Sequence, residues 1–152
     1  EICFIDQKIE AQKLSVLLNQ SENEDFNILK DYAFSGNKDR TRKLLDDTLF
    51  EDEKASLYIN IINQRLAKLS EIYSISKEIG VLKALETIKP PIFWKDKPFF
   101  LEQSKRWKPS DLKSFYKLTY DIEKKIKSNS YIKKHLLIKK LVLDICNKAN
   151  SL

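Results

Sequence analysis

Two adjacent prolines, Pro90 and Pro91, set the strongest constraint on this 152-residue chain. Each lacks a backbone N–H, and each pushes the residue before it out of the α region. No regular helix crosses that point, so whatever precedes it must stop at Ile88 or Lys89. The same stretch, Lys89–Trp107 (KPPIFWKDKPFFLEQSKRW), holds Pro98, both tryptophans (Trp94 and Trp107) and Phe93, Phe99 and Phe100. Pro98 suits the first turn of a new helix, where a missing donor costs nothing. On that helix Phe99, Phe100, Gln103 and Trp107 fall on one side. Lys95, Lys97, Lys105 and Arg106 are threaded among the rings. Such interleaving fits two different uses. Rings can stack on bases while cations meet phosphates, or large aromatics can plug a kink between helical layers.

Two glycines and four prolines are too few for a turn-rich all-β domain. The length predicts one domain, or one with a piece of another, with room for a real core. A chain that opens on Glu and lacks Met reads as part of something longer. No apolar run approaches a membrane span, and no signal-peptide pattern opens the chain. Cys3 and Cys146 stand alone near the two ends. They predict a reducing, cytoplasmic setting, with Cys146 as a small core residue.

Charge is unevenly distributed. Residues 89–152 carry 16 Lys/Arg against 6 Asp/Glu, and residues 1–88 carry 12 against 16. An acidic half joined to a basic half fits a module with different neighbours on two sides. Only Arg40, Arg42, Arg65 and Arg106 are arginine among the 28 basic residues. So strong a lysine bias looks compositional and weakens arguments from lysine counts.

Taken in order, the periodicity predicts helices throughout. Residues 1–20 read as a short helix after Asp6, with Ile9, Leu14, Leu17 and Leu18 on one side. A helix over about 24–35 carries Phe26, Leu29 and Ala33 and stops at Gly36. Asn37 caps the next, about 38–50, with Leu44, Leu45 and Leu49 inward. Asp52 is expected to cap the longest, about 53–79, whose stripe is Tyr58, Ile62, Leu66, Leu69 and Tyr73. After Gly80 a short helix carries Val81, Leu82, Leu85 and Ile88. Pro109 and Asp111 open a helix over about 109–127 with Leu112, Phe115, Thr119, Ile122 and Ile126 on one face. A turn at 128–130 leads to the last, about 131–149, bearing Ile138, Leu141, Val142, Ile145, Cys146 and Ala149. The expected fold is all-α, a bundle of about six to seven helices with short connections.

Catalytic constellations are absent from this pattern. Gly36 and Gly80 are isolated, so no glycine-rich phosphate loop forms. His135 is the single histidine, in a lysine-rich turn where a surface role is expected. Carboxylates such as Asp46–Asp47 and Glu51–Asp52–Glu53 are consecutive and splay around a helix instead of facing across a cleft. The sequence therefore assigns no catalytic residue, no cofactor and no metal ligand.

The order of these features resembles the C-terminal part of the delta subunit of the bacterial DNA polymerase III clamp loader, in its alphaproteobacterial form. The residues carrying the resemblance are NQRLAKL (Asn63–Leu69), LKALETIKPPIFWKDKPFFLEQSKRW (Leu82–Trp107), Glu123 with Lys127, and LLIKKLVLDIC (Leu136–Cys146). It covers roughly residues 21–149, and the run 89–107 is its most specific part. The resemblance implies a helical collar domain over 21–152, preceded at 1–20 by the tail of a lid domain. A collar of this kind holds its subunit in a five-membered ring with delta-prime and tau/gamma subunits. That ring, part of the DNA-directed DNA polymerase holoenzyme, places the sliding clamp on primed DNA. Clamp and DNA would be met only through the full-length protein, and the subunit has no ATPase site of its own.

The resemblance makes Phe93, Trp94, Trp107, Glu123 and Lys127 candidates for the subunit interface. Trp94 and Trp107 are either kink plugs or interface anchors. The pair Phe93–Trp94 is too apolar to be wholly exposed in a monomer, so an exposed member would be assigned to the interface. The alternative is a helical nucleic-acid-binding module. It would gather Lys95, Lys97, Lys105, Arg106 and Lys108 on one electropositive face.

Overall fold

The computed structural model describes residues 23–128 and 131–152. Seven α-helices and no strand make up the described residues, as the periodicity predicts. We label them α1 (23–34), α2 (Lys38–Asp47), α3 (Ala55–Ile79), α4 (Val81–Thr87), α5 (Lys97–Arg106), α6 (Pro109–Lys127) and α7 (Lys134–Ser151). A 3₁₀ turn, Asp52–Lys54, precedes α3. The expected helix over 1–20 and part of the 128–130 turn lie outside the described residues.

Helix α3 is the axis of the domain, and α4, α5, α6 and α7 all pack against it. Its buried stripe, Tyr58, Ile62, Leu66 and Leu69, keeps one face apolar over successive turns. Ile72 replaces Tyr73 as the last buried member, because the stripe drifts around a 3.6-residue helix. On α6 all five expected residues are buried, and on α7 all six, joined by Leu137. Cys146 is buried in that layer, with its Sγ 3.5 Å from Thr41 Oγ1 on α2.

Gly36 ends α1 at φ 76° and brings the turn against the end of α7. A Cβ built there would lie 2.8 Å from Asn150 N and 2.9 Å from Ala149 C. Asn150 Nδ2 donates to Gly36 O at 3.0 Å, so glycine permits both the turn and the close approach. Asn37 then caps α2, its side chain accepting from Arg40 N at 3.1 Å.

Two local expectations are corrected. Helix α2 ends at Asp47 rather than about 50, and Leu49 is 90% exposed instead of inward. On α4, where the sequence made no inward assignment, Ala84 and Leu85 are buried and Leu82 stands 67% exposed. Asp52 does not cap α3. Its Oδ1 accepts from the backbone N of His135 at 3.0 Å and lies 2.8 Å from His135 Nδ1. A side chain from before α3 therefore satisfies an orphan donor in the first turn of α7, whose own N-cap, Lys133, makes no side-chain cap bond. This also sets the start of α7 at Lys134 rather than 131.

Candidate interaction surface

The proline break separates α4 from α5 and turns two rings outward. Ile88 and Ile92 are buried on either side of Pro90–Pro91, and Lys68 Nζ donates to Pro90 O at 3.1 Å. The segment is thus tied to α3 through Lys68 and anchored in the core by two buried isoleucines. Between Ile92 and α5 the chain makes a tight turn, Asp96 N donating to Phe93 O at 2.9 Å. Phe93 and Trp94 project from that turn, 58% and 68% exposed, with ring centroids 5.9 Å apart. Lys95 Nζ lies 5.5 Å from the Trp94 ring. Large rings placed side by side in water are held there at a cost in apolar exposure, which is the usual mark of a binding surface.

Trp107 has the other role. It is 1% exposed, its Nε1 donates to Phe34 O at 2.9 Å, and its ring lies 5.3 Å from both Phe34 and Phe115. It ties the ends of α1 and α5 to α6 and has no surface to offer a partner. Its candidacy for the interface is therefore corrected: enclosure on all sides makes it a core plug. Phe100 is buried as well, and Phe99 packs edge-on against Tyr32 at 5.7 Å.

The five basic candidates are not equivalent. Lys95, Lys97, Lys105 and Lys108 are exposed. Arg106 is half-buried and engaged within the domain, donating to Ala149 O at 3.1 Å and pairing with Glu102 at 3.3 Å. Its guanidinium serves the carbonyl end of α7, where a cation is favoured. Glu123 and Lys127 form an ion pair at 3.1 Å on the outer side of α6, one helical turn apart. They support the helix there by a few tenths of a kcal/mol, about 0.3–0.5.

Behind the aromatic turn lies a polar cluster that the periodicity did not single out. Arg65 on α3 is buried, with Nη2 2.6 Å from Asp31 Oδ1 on α1 and Nη1 donating to Gln103 Oε1 on α5 at 2.8 Å. Its guanidinium carbon sits 4.1 Å from the Phe100 ring centroid. Gln103 Nε2 in turn faces Asp31 O at 3.1 Å and Ser35 Oγ at 3.2 Å. Burial raises the Asp31 carboxyl, opposed by the Arg65 charge, and lowers Arg65, opposed by Asp31. Lys30, on the same side of α1, is pushed down to about 8 by burial and then by Arg65, although Asp31 and Asp96 hold it up. Gln103 falls on the inward face that spacing predicts. The signal for Arg65 in the sequence is its place beside Leu66 on the buried stripe, as one of few arginines in a lysine-rich chain. A planar fork can bind carboxylate, amide and ring at once, and an ammonium cannot.

No protein-family model, curated protein or solved structure matches this chain. Among the described residues no group of His, Cys, Asp and Glu side chains is arranged to hold a metal ion. None of the described helices is long and apolar enough to cross a membrane.

Proposed function

We propose that this domain is an assembly module that holds its protein in a multisubunit ring, in the manner of the clamp-loader collar that its sequence resembles. The observation that carries the reading is the exposed pair Phe93–Trp94, on a turn that follows a segment anchored in the core by Ile88 and Ile92 and bonded to the central helix through Lys68. Rigid presentation of two aromatics is what a protein interface rewards, since little ordering entropy remains to be lost on docking. The resemblance of residues 89–107 supplies the identity of the ring. In this reading the partners are delta-prime and tau/gamma collars, and Glu123 and Lys127 stand as candidate contacts on another side of the bundle.

The test is to mix this chain with the collar domains of delta-prime and tau/gamma and measure mass by light scattering, with and without about 0.5 M salt. Screening at that ionic strength suppresses surface attraction and leaves apolar contacts standing. A salt-resistant assembly, abolished by Trp94→Ala in a folded domain, is the expected result. No assembly, with salt-sensitive binding to primed DNA instead, would transfer the function to a nucleic-acid module.

A further inference from the structure

The outward face of Leu82 is part of a larger feature. Helices α4 and α5, on either side of the proline break, pack against each other, and two adjoining hollows of about 470 Å³ and 320 Å³ are lined by residues of both, sharing Leu82 and Leu101. Ile79 lies at one end, 41% exposed, and Trp94 at the other. Ile79, Leu82, Leu85, Leu101 and Trp94 therefore line one continuous groove. Lys83 and Lys105 flank the first hollow and Lys97 the second, while Glu86 is the one carboxylate lining either. None of these three lysines forms an ion pair with a described residue. On α5, Lys97, Leu101 and Lys105 succeed one another at steps of four, so cation, apolar floor and cation share one helical stripe.

We infer that this groove binds an acidic amphipathic helix of a partner protein, its apolar stripe seated on Leu82, Leu101 and Trp94 and its carboxylates meeting Lys83, Lys97 and Lys105. Unpaired cations beside an apolar floor are complementary to that chemistry. A nucleic acid would use the lysines and Trp94 but leaves Ile79, Leu82 and Leu101 without a partner. A lipid surface is flat and would not fill a concave groove between two helices. The inference deepens the assembly reading by naming the chemistry of the partner, and it rests on that reading for its biological setting.

Trp94 supplies the signal for a direct test, because Trp107 is already enclosed and its emission should not respond to docking. The probe is a peptide of about 18 residues without Trp or Tyr, with leucines at i, i+4, i+7 and i+11 flanked by glutamates. A counterpart carries lysine at every glutamate. The expected result is a saturable blue shift with the glutamate peptide. Binding should be at least about tenfold weaker for the lysine peptide and for the Lys83→Glu/Lys105→Glu protein, and lost for Leu82→Glu. Circular dichroism confirms that each variant is folded, and the charge reversal leaves the apolar floor intact. Equal binding of both peptides, or an undiminished shift in Leu82→Glu, overturns the inference. So does a comparable shift with oligo-dT, with anionic phosphatidylserine vesicles, or with rising concentration of the protein alone. Failures of the two proposals are distinguishable. Peptide docking without ring assembly sinks the ring, and ring assembly that survives Leu82→Glu but not Trp94→Ala sinks the groove.

Discussion

Arg65 and Asp31 form a buried ion pair, 2.6 Å apart, that joins the central helix to α1. Taking two charges out of water costs several kcal/mol each, and their attraction offsets that only with further hydrogen bonds. Gln103 supplies one, and the Phe100 ring covers the guanidinium. Removing one partner leaves the other buried and alone. Arg65→Ala or Asp31→Ala should lower unfolding free energy by about 3–5 kcal/mol in urea titrations. The double change Arg65→Met/Asp31→Leu should recover most of that loss. If the double variant is no more stable than either alanine variant, the pair is not the reason for the loss.

Lys30 makes the domain's stability rise with pH above neutrality. Its folded pKa of about 8 lies below the ordinary 10.5, so between those values the unfolded chain binds a proton that the folded domain has released. Stability therefore increases across about pH 8 to 10, and the cost of charged, buried Lys30 is present in full below about 8. Lys30→Met should stabilise the domain at pH 7 by on the order of 1–3 kcal/mol and flatten the rise between pH 7 and 9.5. Urea midpoints of both proteins at the two pH values decide this. Equal slopes for the two would show that another group titrates.

The two tryptophans should separate cleanly. Trp107→Ala empties the junction of α1, α5 and α6 and strands the Phe34 carbonyl, so a loss of about 3–5 kcal/mol is expected. Trp94→Ala removes a ring standing mainly in water and should change stability by less than about 0.5 kcal/mol. Thermal melts of the two variants, read beside the wild-type protein, suffice.

Glycine is required at positions 36 and 80 for different reasons. Both have positive φ, 76° and 86°, so any side chain is strained at either. At Gly80 a Cβ meets nothing within 4 Å, and Gly80→Ala should cost about 1–3 kcal/mol. At Gly36 it would press on the backbone of Ala149 and Asn150 as well, so Gly36→Ala should be the more damaging. Amide exchange at the end of α7 should accelerate in Gly36→Ala and not in Gly80→Ala.

Asp52 acts on α7 from a distant part of the chain. Hydrogen bonds from the His135 side chain and then its backbone hold this carboxyl below its usual range. Its contribution is therefore present above its ordinary pKa and lost as pH falls through the depressed one. Asp52→Ala should speed amide exchange in the first turn of α7, and adding His135→Ala should do little more. Additive effects of the two changes would count against a shared cap.

The amino-acid sequence by itself determined that the domain is helical and where most helices lie. The α6 stripe from Leu112 to Ile126 and the α7 stripe from Ile138 to Ala149 follow from spacing, because a regular helix fixes which side chains share a face. Gly36, Asn37 and Pro109 act through their own backbone or their immediate neighbours, so they too are legible in isolation. The tertiary structure decided which of two chemically similar residues faces inward. Trp94 and Trp107 differ by their position relative to α1 and α6, elements distant in sequence, and no local pattern encodes that. Arg65 could be buried only because Asp31 and Gln103 arrive from α1 and α5 to meet it, and Asp52 caps α7 only once the chain has folded back. Local periodicity reports the face of a helix. What that face meets is set by packing between distant segments, where burial and desolvation give charges and rings their cost and their use.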